Sequence, residues 1–180
     1  MRQRAPSDPF GQGTISDYFD RRAERLVLEG YRHWAAGFQT GSITPWEMGW
    51  SLYVEMLGTD DGEKLTTEMQ GFVRALKLCG ACPLRAFPFN SRHLCLEECL
   101  IIGLVAGLQN DDEVADYCLD RLTCPARCAP IRAAAKRLAD TLSSMDAQLL
   151  PVPRNVIDDI VQRASDQKAT LLRSGPSTLH

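Results

Sequence analysis

Apolar residues return at helical spacing along most of this chain, and short breaks rich in glycine and proline separate the periodic segments. From about Ser16 to Phe38 the residues Tyr18, Phe19, Leu26, Tyr31, Trp34 and Phe38 mark one face of a helix, with Gly37 and Gly41 as its stop. Thr44-Pro45-Trp46-Glu47 predicts the next start, with Thr44 as N-cap, proline at the first helical position and Glu47 closing a capping box. That helix should run to about Leu57, present Trp46, Trp50, Tyr53, Val54 and Leu57 as its stripe, and stop at Gly58. Thr59 and Asp60 open a third helix to about Leu78, with Leu65, Met69, Phe72, Val73 and Leu76 inward.

Residues 83–90, broken by Pro88 and Asn90, predict an ordered loop anchored by Phe87 and Phe89. Ser91 is the expected cap of a helix over about 92–109 that is apolar on nearly every side past Cys99 and therefore central. Asn110 and Asp111 open a short helix to about Leu122, Pro130 an alanine-rich one to about Ser144, and Asn155 an amphipathic one to about Leu172. No two segments alternate in strand fashion around a hairpin turn. The prediction is an all-α, single-domain bundle of six or seven helices around the helix at 92–109. Residues 14–173 form that domain, residues 1–13 a flexible lead-in, and residues 174–180 a disordered tail.

Composition changes this picture little. Of the 180 residues, 44% are apolar and 24% charged, and the net charge of −3 is spread evenly over the two halves. Such balance offers no broad attraction for nucleic acid or anionic membrane. The most apolar run, Leu100 to Leu108, is far too short to span a bilayer. The basic start Met-Arg-Gln-Arg-Ala-Pro-Ser-Asp-Pro has no apolar run behind it, so the expected compartment is the reducing cytoplasm.

The seven cysteines change it more, because in a reducing compartment clustered thiols serve as ligands, redox groups or small core residues. Cys79, Cys82, Cys95 and Cys99 read C-x2-C-x12-C-x3-C, a spacing able to surround one tetrahedral zinc ion. Cys95 and Cys99 also share a face with Ile102 and Ala106, as core positions do. Cys118, Cys124 and Cys128 would need a fourth ligand from Cys95 or Cys99 to hold an iron–sulfur cluster. The pair Cys79/Cys82 has redox-dithiol spacing, but a helix C-terminus would raise its thiol pKa.

Other chemistry is sparse. His33 sits beside Trp34 and reads as a packing or surface residue; Glu97-Glu98 and Asp111-Asp112-Glu113 read as solvated helix faces. An enzyme would need a cleft that gathers Glu97, Glu98 and His33. Residues 111–120 are acidic and residues 121–137 basic, so Arg132, Lys136 and Arg137 are candidate phosphate contacts of a DNA-binding helix, or the two blocks neutralise each other. The aromatics Trp34, Phe38, Trp46, Trp50 and Tyr53 should fill the space between the first two helices, and any tryptophan left exposed there becomes a candidate interface anchor.

The leading expectation is a small cytoplasmic interaction or regulatory protein without catalytic activity of its own. It would meet another protein, or a second copy of itself, through helical surfaces. A cysteine-ligated zinc or iron–sulfur module is the alternative, and a helical DNA-binding regulator follows it.

Overall fold

The computed structural model of the chain describes residues 21–78 and 84–173. Among them lie seven α-helices and no strand: α1 (Arg22–Thr40), α2 (Thr44–Leu57), α3 (Thr59–Lys77), α4 (Leu96–Gln109), α5 (Val114–Leu122), α6 (Cys128–Ser144) and α7 (Arg154–Arg173). A 3-10 turn, Pro125–Arg127, leads into α6. The expected segments 1–13 and 174–180 lie outside the described residues. None of the described helices is long and apolar enough to cross a membrane.

The bundle closes around α4, which buries every residue from Leu100 to Leu108. Two glycines let α5 approach it closely. A Cβ at Gly103 would stand 2.7 Å from Cys118 Sγ, and one at Gly107 would stand 2.7 Å from the Ala115 nitrogen. On the other sides α4 meets α6, α7 and α1, while α3 bridges the α1–α2 pair to α6.

Several helix starts differ from the prediction: α5 begins at Val114 and not at Asn110/Asp111, α6 at Cys128 and not at Pro130, and α2 and α4 have other caps. Ile43 is the N-cap of α2, and Thr44 lies inside the helix and makes no side-chain cap. Glu47 N–H donates to the Ile43 carbonyl at 3.1 Å, and Ser42 Oγ accepts the Thr44 N–H at 3.3 Å. The central helix begins at Leu96 and not near 92, capped by a reciprocal box between Cys95 and Glu98. Continuing it backwards would require the Ser91 and His93 carbonyls as helical acceptors, and both instead accept from the Arg32 guanidinium at 2.8 and 2.7 Å.

Packing of α1 on α2 pairs glycines with aromatic rings. Trp34 stacks on Tyr53 with ring centres 5.7 Å apart, and the Phe38 and Trp46 rings meet edge-on at 5.2 Å. Tyr53 hydroxyl donates to the Leu26 carbonyl at 2.9 Å, and a Cβ at Gly30 would collide with that hydroxyl. Trp46 Nε1 donates to the Trp34 carbonyl at 3.3 Å. Four of the five expected aromatics thus fill this interface. The fifth, Trp50, does not: it is 45% exposed on the outer side of α2.

Candidate functional site: a buried ion cluster and the groove beside it

Helix α1 is buried around most of its circumference, and its charged residues go inward with the rest: Glu24, Glu29, Arg32 and His33 are all buried. Arg32 is the hub. Its Nε donates to Glu98 Oε1 at 2.7 Å and its Nη1 to Glu29 Oε1 at 2.8 Å, besides the two loop carbonyls already named. The carboxylates use their remaining capacity on backbone. Glu98 accepts the N–H of Phe87 at 3.0 Å and of Cys95 at 2.9 Å, and Glu29 accepts the N–H of Asn90 at 3.1 Å. Burial pulls the Arg32 pKa down, but the hydrogen bonds and charges of Glu98 and Glu29 outweigh it and leave it raised. A buried charge set survives only when so fully bonded. Its product is structural: a loop without regular secondary structure, residues 84–95, is fastened to α1 and α4.

The expectation that Glu98 is a solvated helix face is therefore corrected. It is fully buried, because the only partners that satisfy it lie inside. Glu97, Glu98 and His33 have separate surroundings. Glu97 stands 3.9 Å from Arg85, Glu98 is engaged by Arg32, and His33 stacks on Phe89 with ring centres 4.1 Å apart.

Outside this cluster runs an open groove of about 430 Å³ between α1, α2 and the loop. Arg25, Glu29 and His33 line one wall, Glu47, Met48, Leu52 and Glu55 the other, and Phe89 and Asn90 close the end. His33 is only 6% exposed, and its Nδ1 is closed off with no hydrogen-bond partner. Burial holds its pKa down, with the Glu29 charge acting the other way. Helix α2 buries only Gly49 and Tyr53. At 100° per residue, Glu47, Ser51 and Glu55 form its outward crest, with Met48 and Leu52 on the groove side and Trp50 on the opposite flank. Met48 is 45% and Ile43 62% exposed.

The thiols are placed as follows. Cys79 and Cys82 lie outside the described residues. Cys95 and Cys99 are half-buried, and the Cys95 thiol donates to the Arg85 carbonyl at 3.5 Å. Burial, reinforced by the Glu98 charge, pushes Cys95 up to about 12 and Cys99 up to about 11. Cys118 is pushed up to about 12 by burial, with Arg121 opposing and Cys99 adding to the shift. Cys128 Sγ lies 3.0 Å from Thr123 Oγ1 and donates to the Cys124 carbonyl at 3.7 Å. Among the described residues no three His, Cys, Asp or Glu side chains gather as a metal would require.

Each candidate phosphate contact has a carboxylate partner: Arg132 pairs with Asp116, Lys136 with Asp140 at 2.5 Å and Arg137 with Glu68 at 3.2 Å. The Arg132–Asp116 pair joins the basic block to the acidic one, as neutralisation between them requires. No protein-family model matches the chain, and neither a curated protein nor a solved structure shows detectable similarity to it.

Proposed function

We propose that this protein is a small helical interaction or regulatory module, without catalytic activity of its own, that docks a partner protein through the outward face of α2. One observation carries the reading: Trp50 and Met48, with Ile43 at the N-cap, stand exposed on a helix that fully buries only Gly49 and Tyr53. Tryptophan is among the residues most enriched at binding hot spots, where a large apolar ring with one polar edge finds a pocket on the partner. The buried ionisable groups support the same reading. Arg32, Glu29 and Glu98 are bonded to one another and to backbone, which suits them to hold a loop and leaves little capacity for proton transfer.

The test is capture of partners from the native cell with the wild-type chain, Trp50→Glu and a control, Lys136→Glu, on α6. A defined partner retained by wild type and control but lost with Trp50→Glu, while circular dichroism stays unchanged, is the expected result. Identical partner sets for all three chains would remove α2 as the docking face.

A further inference from the structure

Two carboxylates on the groove are uncommitted. Glu47 and Glu55 lie on one side of α2 with Ser51 between them, roughly 12 Å apart along the axis at 1.5 Å per residue. Among the described residues neither side chain has an ion-pair or hydrogen-bond partner. Glu29, the third carboxylate of the lining, is engaged by Arg32, and Arg25 is the one cation of the lining. The uncommitted charge of α2 on this side is therefore negative.

His33 shares the groove lining with these carboxylates. It is more than nine-tenths buried, lines the groove and carries a nitrogen with no partner. Met48, Leu52 and Phe89 supply apolar surface between the polar points.

Resting on the reading of α2 as an interaction face, we infer that the groove takes a basic amphipathic segment of the partner protein. Its Lys or Arg side chains, about two helical turns apart, meet Glu47 and Glu55. Its apolar side covers Met48, Leu52 and Phe89. An acidic segment would face like charge along the crest of α2.

A display library of random peptides about 15 residues long, roughly four turns of helix, can be selected against the full chain. Enriched sequences should carry Lys or Arg about two turns apart with apolar residues between. Synthetic copies should bind the Glu47→Gln/Glu55→Gln double variant roughly three- to tenfold more weakly than wild type, and should weaken as salt is raised. Both positions are exposed, so the double variant should fold as wild type does, which circular dichroism checks. Enrichment of neutral or acidic peptides that bind the double variant equally well, yet are lost with Trp50→Glu, would overturn the basic partner and leave the α2 face standing. No enrichment against the wild-type chain would overturn both.

Discussion

Arg32 is enclosed on every side by acceptors, so its removal does more than delete a contact. Replacing it with methionine leaves Glu98 and Glu29 buried without their cation, and the expected loss is roughly 3–5 kcal/mol of unfolding free energy. Denaturation in urea would measure it, and a loss under about 1 kcal/mol would mean that the cluster is open to water. Pairing Arg32→Met with Glu98→Leu should cost less than the sum of the two changes, because each removes the charge the other leaves stranded. His33 sets a different dependence. Its folded-state pKa lies below the ordinary value, so at mildly acidic pH the unfolded chain binds a proton that the folded chain refuses. Its contribution is therefore intact above the unfolded pKa near 6.5 and falls away as pH drops through that value toward the folded one. His33→Phe keeps the stack on Phe89, removes the orphaned Nδ1 and should flatten the stability profile between about pH 5 and 7. A wild-type profile that matches the variant over that range would assign the slope to other groups. The raised thiols act at the opposite end. Cys95, Cys99 and Cys118 stay protonated in the fold at pH values where the unfolded chain ionises them. Stability should accordingly fall as pH rises above about 9, and least steeply in a chain lacking these thiols.

At the scale of elements, the segment 84–95 has no regular secondary structure, yet the amides of Phe87, Asn90 and Cys95 donate to buried carboxylates. Hydrogen exchange should find these three protected, and Glu98→Ala should release Phe87 and Cys95 while Asn90, bound to Glu29, keeps more of its protection. Equal release of all three would mean that the loop detaches as one unit. This segment also marks where the sequence stops being readable. Helix α3 was legible because its apolar residues keep one period and its first turn is acidic, and α4 because its apolar run is almost unbroken. Helix α1 was legible as a helix but not in its burial, since Glu24, Glu29 and Arg32 each look like solvent residues. What sends them inward is satisfaction by partners 59 to 126 positions away along the chain, which no local pattern encodes. One local hint existed, the Glu29/Arg32 spacing with Leu28 and Tyr31 each just before one of the pair, and it is too common to single out. The cap at Cys95 was hidden for the same reason, because Ser91 is the better N-cap by composition and loses its carbonyl to Arg32. Trp50 failed in the other direction: helical spacing put it with Tyr53, but Trp46, Gly49 and Tyr53 seat α2 and leave Trp50 on its outer flank.

Over the whole molecule, stability should be unequal, and α7 is the element to part first. It packs chiefly on α4, where Ile157 is almost fully buried and stands 3.2 Å from where a Cβ at Gly103 would lie. Around that anchor the ties are exposed: Arg154 reaches Glu113 at 3.6 Å and lies over the Tyr117 ring at 4.4 Å, and Tyr117 bonds to Asp158. Exposed pairs of this kind are worth at most about 1 kcal/mol each. Ile157→Ala should remove roughly 2–5 kcal/mol from the docking of α7 and raise amide exchange along it by at least about tenfold. Amides of α3 and the middle of α4, buried among α1 and α6, should keep their protection. Loss of protection in α3 together with α7 would instead make the bundle one cooperative unit. The same variant separates two surfaces. Helix α2 rests on α1 and α3 while α7 rests on α4, so a partner held by Trp50, Glu47 and Glu55 should bind Ile157→Ala as tightly as wild type. If binding weakens with the release of α7, the docking face extends around the bundle or depends on the rigidity of α4. The exchange pattern would tell these apart, because only the second requires protection to fall in α4 and, through Glu98 and Arg32, in the loop that closes the groove.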